Sequence, residues 1–305
     1  MTAPAGPDAR SKLSLPLRGH LAMLLFSSLV AGSFSLGSMS ANAVDPAALN
    51  AVRFLIAAIV IGAAALTTKG VPRSAWRAPW RYLILGGLFA GYFVLMFEGL
   101  KTAHPVSTAA VFTLTPLMSA GFGWGLLGQV TTRRMFLALG IGAAGALWVI
   151  FRADWQAFLR FEVGKGEVYY FWGCMLHAVY TPMVRKLNRG EAPVVFTFGM
   201  LIAGLVILSI VGARDIWATD WLALDALVWG TILYLAIFAS AATFVLLQFA
   251  TLHLPSAKVM AYTYLVPSWV ILWEMALGHG APSGFVLVGI ALTCLALVML
   301  LESDT

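Results

Sequence analysis

Long apolar stretches alternate with short polar links along the chain. The stretches run to about 20 residues, the length at which a helix crosses the hydrocarbon core of a bilayer. Ten such runs occupy about 20–41, 48–67, 83–100, 107–128, 135–151, 167–185, 193–212, 227–250, 257–277 and 284–301. In lipid every backbone polar group needs an internal partner, so runs of this kind are helices. A membrane barrel would instead show segments of about ten residues with alternating polarity. The links are too short to hold a soluble domain. The pattern predicts an all-α membrane protein with ten transmembrane helices.

Composition agrees and adds a topology. The 305 residues are 61% hydrophobic and only 10% charged, with a mean hydropathy of +0.89, whereas soluble domains are about a quarter charged. With the N-terminus in the cytoplasm, thirteen Lys and Arg fall on inside segments, from Arg10 and Lys12 through Lys69, Arg133 and Arg185 to Lys258. Five fall outside: Lys101, Arg152, Arg160, Lys165 and Arg214. Arg53 lies within the second run. The asymmetry obeys the positive-inside rule and puts both termini in the cytoplasm. It also accounts for the net charge of +6 without a nucleic-acid partner. Residues 1–19 are expected to form a cytoplasmic tail. Ala41-Asn42-Ala43 resembles a signal-peptide cleavage site, but the preceding tail and the length of the first run point to a retained helix. Cys174 and Cys294 both sit in apolar runs, and neither a disulfide framework nor a metal-ligand spacing is present, so no cofactor is expected.

Two stretches repeat. KTAHPVSTAAVFTLTPL (101–117) and LHLPSAKVMAYTYLVPS (252–268) both open with His and Pro and reach an internal proline. Pro116 and Pro267 are 151 residues apart, and at that offset Ser107 matches Lys258 and Thr113 matches Tyr264. LVAGSFSLGS (29–38) matches MLHAVYTPMV (175–184) at a similar offset. The chain therefore divides into halves, 20–155 and 160–301, with five helices each. Five being odd, the second half enters the membrane inverted, the arrangement many secondary transporters use to build a midplane site between repeats. Within a helix a proline removes a hydrogen bond and bends the chain. Pro116 and Pro267 are thus candidate hinges, or alternatively kinks in a packed bundle.

The order and spacing of several short motifs carry a resemblance. They are Arg53-Phe54-Leu55-Ile56-Ala57-Ala58, Pro116-Leu117 followed by Leu127-Gly128-Gln129, and Tyr180-Thr181 followed by Arg185-Lys186. With ten spans in two halves, the chain resembles the drug/metabolite transporter superfamily, specifically its EamA-type members. The chain departs at Gly128-Gln129 and Gly278-His279, where that family usually has Gly-Glu. The resemblance implies export of small metabolites, often amino acids, across a bacterial inner membrane. It also implies a cavity lined by helices one, three, four, six, eight and nine, with five and ten peripheral. A Tyr- and Trp-rich interior looks like the aromatic and neutral amino acid exporters.

Candidate residues follow from polarity inside the runs. Ser28, Gly32 and Ser35 share a face of the first helix, suiting either a cavity wall or close helix contact. Thr108, Phe112, Thr115 and Ser119 form a stripe on the fourth, expected to face inward. Tyr92, His177, Tyr180, Ser240, Thr243, Tyr262, Tyr264 and Trp269 complete the candidate lining, aromatics to stack on a side chain and hydroxyls to hold polar groups. His177 titrates most easily near neutrality, or else is a packing residue. Glu98 and Glu274 are acids set within spans and candidates for proton coupling. Glu98 has a surface pairing with Lys101 as its alternative, and Glu274 lies near the outer end. Gly87 and Gly91, Gly121 and Gly125, and GIGAAGA (140–146) read as packing surfaces.

Other classes fit less well. No His-Glu-x-x-His, nucleophile elbow, P-loop or dinucleotide glycine pattern appears, and the ionisable groups are scattered rather than clustered as in an intramembrane enzyme. Without a P-loop or soluble domain the chain does not drive transport by its own ATP hydrolysis. A channel would need charged or carbonyl rings. The expectation is a secondary transporter exporting amino acids, with another metabolite or drug-like compound as the alternative cargo.

Overall fold

A computed structural model describes residues 14–68, 70–151, 154–160, 162–281 and 283–302. Arg10, Lys12, Lys69 and Arg152 of the charge count, and most of the N-terminal tail, lie outside the described residues. The described residues form helices and connections, with no strand among them. We label the main helices α1 (Leu15–Ser40), α2 (Pro46–Thr68), α3 (Trp80–Leu100), α4 (Pro105–Leu127), α5 (Arg133–Ile150), α6 (Lys165–Leu187), α7 (Pro193–Val211), α8 (Ala226–His253), α9 (256–276) and α10 (Gly284–Leu301). Eight of these are long and apolar enough to cross a membrane. The other two are α6, whose tyrosines and histidine lower its hydropathy, and α9, which is broken into Ser256–Ala261, Tyr262–Leu265 and Val266–Ala276. The protein is a multi-pass helical membrane protein.

The starts of the helices are written in the sequence. Pro46, Pro105 and Pro193 stand in first turns, where a missing N–H costs nothing. Asp45 accepts the Ala47 and Ala48 N–H groups at 2.8 and 3.3 Å, and the Thr132 side chain accepts the Met135 N–H, the N-cap geometry that satisfies orphan donors. Gly128, at φ 67°, closes α4 in the left-handed region that glycine tolerates.

Packing follows a matched set of pairs. α3 lies against α6 and α7, while α8 lies against α1 and α2; α4 meets α6, and α9 meets α1. α2–α7, α4–α9 and α5–α10 complete the set, and adding or subtracting five from each number returns the same set. The core is aromatic: Phe26, Phe34, Phe54, Phe89, Phe97, Phe112, Tyr170 and Tyr180 are almost fully buried. α5 and α10 pair on the flank, brought together where Gly145 and Gly289 each face the other's carbonyl oxygen too closely for a side chain. Gly121 and Gly125 do not serve as packing surfaces, since a side chain added at either would meet nothing within 4 Å.

One buried ion pair ties the ends of three helices. The Arg81 guanidinium donates to the Leu187 carbonyl at 2.6 Å and to Glu191 Oε1 at 2.6 Å, joining the start of α3 to the α6–α7 link. Glu191 Oε2 accepts the Arg189 N–H at 2.6 Å. Partial burial pushes the Glu191 carboxyl upward, but the hydrogen bonds from Arg81 and the backbone together hold it below the usual carboxylate range. A depressed carboxyl stabilises the fold above its unfolded pKa, and that contribution is lost as pH falls through the folded value. The thermal midpoint of the detergent-solubilised protein should therefore drop below pH about 4. It should drop less in Glu191→Gln, which starts from a lower midpoint at neutral pH. Parallel pH curves for the two proteins would refute the assignment.

Candidate functional site

The small residues Ala239-Ser240-Ala241-Ala242 let α8 wind more widely, and Ile237–Ala242 is a π-turn. The Thr243 N–H reaches the Phe238 and Ser240 carbonyls and skips that of Ala239. Arg53, on α2 and wholly buried, takes it: Nη2 donates to the Ala239 oxygen at 2.8 Å. Nε donates to Ser240 Oγ at 2.6 Å, and Nη1 more weakly to Asn50 Oδ1 at 3.4 Å. The guanidinium carbon stands 3.7 Å from the centre of the Phe93 ring, a cation–π contact. Among the described residues no carboxylate lies within ion-pairing distance of Arg53.

Beside it lies a nest of rings. Phe89 is 4.2 Å from Tyr180 and 4.5 Å from Phe244, centre to centre, while Tyr92 is 4.7 Å from His177 and stacks on Phe112 at 6.0 Å. The Tyr92 and Tyr170 hydroxyls are 3.0 Å apart. Gln248 donates to the Tyr180 hydroxyl at 3.2 Å, and that hydroxyl donates to Met200 Sδ at 3.0 Å. His177 Nδ1 and Gln248 Oε1 are buried without hydrogen-bond partners. Among these rings lies a small cavity of about 10 Å³. Its walls come from α1 (Phe26, Val30, Ser33), α3 (Phe89, Tyr92, Phe93, Met96), α6 (His177) and α8 (Ala239, Thr243, Phe244).

Both marked prolines follow breaks. α4 ends its first part at Phe112, turns through Thr113 and Leu114, and resumes at Thr115 with Pro116 in the new first turn. α9 passes through the tighter 3₁₀ turn of Tyr262–Leu265 and resumes at Val266 with Pro267 in the same place. Neither proline therefore interrupts a continuous helix. The carbonyl four residues before Pro116, on Phe112, accepts the Thr115 hydroxyl at 2.6 Å instead. The one before Pro267, on Thr263, accepts the Val266 N–H. The two breaks touch, with Thr115 Oγ1 3.3 Å from Thr263 Oγ1.

The structure gathers some of the expected residues and disperses others. Tyr92, Phe112, His177, Tyr180, Ser240 and Thr243 meet around the cavity and Arg53. Thr108, Phe112, Thr115 and Ser119 are all buried, with the Thr108 hydroxyl donating to the His104 carbonyl. Ser35 is buried, whereas Ser28 is half-buried and bonds back to the Leu25 carbonyl. Trp269 donates to Ser27 Oγ at 3.3 Å, and Tyr262 meets His20 at 3.0 Å, both away from the cavity wall. Tyr264 turns to the flank, packing on Gly142 of α5 in the cluster shared with α10. Glu98 pairs with Lys101 at 2.9 Å and is one-third exposed. Glu274 binds His279 at 2.8 Å, its other oxygen buried without a partner. Gln129, where the Gly-Glu pattern departs, accepts the Ser256 N–H at 3.1 Å and joins the end of α4 to the start of α9.

The sequence profile of the EamA-like transporter family matches residues 17–151 and again 164–302. The chain belongs to the EamA-like transporter family. It is 25% identical over 262 residues to an uncharacterized transporter, YyaM, of Bacillus subtilis, covering 85% of this chain and 86% of that one. It is 32% identical over 223 residues to the aromatic amino acid exporter YddG of Ancylobacter novellus, covering 71% of this chain and 75% of that one. A solved crystal structure 24% identical in sequence superposes with a TM-score of 0.70, covering 95% of this chain and 97% of that one.

Within this family fold, Arg53 and Glu167 are buried charged residues that do not figure among the expected site residues. Arg53 was visible as a charge at membrane depth, by default a functional signal. Glu167 sits in the first turn of α6, buried, and accepts the Ser107 hydroxyl at 2.8 Å. It stands at the first position of the apolar run 167–185. Removing the hydroxyl that Arg53 depends on tests the cluster. Ser240→Ala should lower stability by about 1.5–3 kcal/mol, the range for a hydrogen bond to a charged group. The check is the thermal midpoint in detergent, with Ser28→Ala, whose hydroxyl only bonds back along its own helix, expected within about 0.5 kcal/mol of wild type.

Proposed function

We propose that this EamA-family protein is a secondary transporter that exports aromatic and other neutral amino acids across the cell's inner membrane by alternating access. In this reading the halves 20–155 and 160–301 are inverted five-helix repeats, α6 and α9 cross the membrane with the other eight, and both termini face the cytoplasm. The observation that carries it is the ring nest at the centre, to which Phe89, Tyr92 and Phe112 come from one half and Tyr170, His177, Tyr180 and Phe244 from the other. The matched packing pairs, the double match of the family profile and the exporter named among the relatives support it.

The cavity between the halves, at about 10 Å³, is far below the roughly 300 Å³ of a small-molecule site. Cargo enters only when the halves part. The breaks at Thr113–Leu114 and Tyr262–Leu265, held together through Thr115 and Thr263, are where α4 and α9 bend as this happens. Glu274, with one buried free oxygen beside His279, is the proton-coupling candidate, and Glu98 the second.

Proteoliposomes carrying the purified protein should take up radiolabelled phenylalanine or tryptophan saturably, with leucine competing and an imposed pH gradient altering the rate if Glu274 or Glu98 couples protons. Pro116→Ala gives α4 an N–H that competes with Thr115 for the Phe112 carbonyl and straightens the break. It should insert normally yet transport roughly tenfold more slowly, a barrier higher by about 1.4 kcal/mol. Unchanged transport at normal expression would remove the hinge. Absence of any amino acid uptake would remove the cargo.

A further inference from the structure

We infer that Arg53 is the carboxylate anchor of the central site, so that its ligands are organic molecules bearing one free carboxylate. The inference rests on reading this centre as the transport site and names the chemistry that the site selects. A guanidinium offers five N–H donors. Three are used here, all on neutral acceptors, and one of those bonds is long at 3.4 Å. One N–H on Nη1 and one on Nη2 have no acceptor among the described residues. That adjacent pair is what the two oxygens of a carboxylate bridge.

Arg53 stands directly behind the cavity wall. Phe93, whose ring covers the guanidinium, and Ala239, whose carbonyl accepts from it, both line the cavity. A buried charge without a counter-ion is costly, and the cost is relieved whenever an anion enters. The other buried arginine, Arg81, already has its carboxylate in Glu191. A phosphate would bring nearly two negative charges, and no Lys or Arg on the cavity wall adds to the single charge of Arg53, which stands behind Phe93 and Ala239. The ring nest supplies the surface for the organic remainder.

The test compares acids with the same molecules lacking the free acid, on the full-length protein in detergent and in competition for transport in proteoliposomes. The panel pairs phenylalanine with its methyl ester and with phenethylamine, tryptophan with tryptamine, and adds leucine, phenylpyruvate and other carboxylates of varied shape. Acids should bind roughly 10- to 100-fold more tightly than their uncharged-end partners, the factor for a charge-assisted pair. Arg53→Gln should erase that preference, and Arg53→Lys, a point charge without the fork, should restore part of it. Esters and amines binding as well as acids, or a preference that survives Arg53→Gln, would overturn the inference. Should Arg53→Gln fail to fold, the acid-to-ester ratio of the wild-type protein decides alone. Binding of a non-aromatic acid but of no aromatic amino acid would keep the anchor and overturn the cargo, while no binding by any carboxylate overturns the anchor.

Discussion

A single buried guanidinium sets the terms for the middle of this protein. Arg53 comes from α2 and is held by α8, so its hydrogen bonds join the two halves of the chain. A charge at that depth is tolerated only with dense polar contact around it. The bundle supplies this by widening α8 for one turn, which frees the Ala239 carbonyl, and by placing Ser240 beside it. An ordinary α-helical α8 would give that carbonyl to the Thr243 N–H. The π-turn and the arginine are thus one device: each satisfies a group that the other leaves exposed, and π-turns are over-represented at functional sites for this kind of reason.

The broken helices solve the matching backbone problem. In apolar surroundings a carbonyl without a donor costs as much as a lost hydrogen bond. At the α4 break a side-chain hydroxyl, Thr115, replaces the N–H that Pro116 lacks. At the α9 break a 3₁₀ turn does so through the Val266 N–H. A side-chain bond is the easier of the two to exchange, because a hydroxyl rotates without moving the backbone. As the proposed hinges, the two breaks would therefore meet different local resistance, α4 the softer, although their prolines occupy the same register.

Most of the fold was legible because lipid imposes simple rules. Run length marked the helices, the paired prolines marked both breaks, and small or hydroxyl residues at helical spacing put Thr108, Phe112, Thr115 and Ser119 on the buried face. What stayed hidden were the partners of polar groups. The small residues of ASAA permit a π-turn without announcing one, since the arginine that takes the Ala239 carbonyl is distant in sequence. Tyr264 looked equivalent to the cavity tyrosines, but the 3₁₀ geometry of Tyr262–Leu265 rotates it by a third of a turn per residue onto Gly142. Glu167 was hidden by a boundary: its carboxylate is tolerated at depth by the α6 N-terminus and the Ser107 hydroxyl.

The conformation itself carries the last step. Rings from both halves close on one another around a space no larger than about one water molecule. His177, on its wall, and Gln248, bonded to Tyr180 nearby, nonetheless leave Nδ1 and Oε1 unpartnered, and Arg53 keeps unused donors behind the wall. A bundle selected only for stability would fill such a centre with apolar groups, since a half-satisfied polar network is worse than a hydrocarbon core. Unsatisfied donors and acceptors around a site too small to hold anything make sense if the closed form is one of at least two. In the transport cycle proposed above, these groups would be satisfied in the form that holds cargo, and leaving them unpaired in the empty closed form would favour reopening.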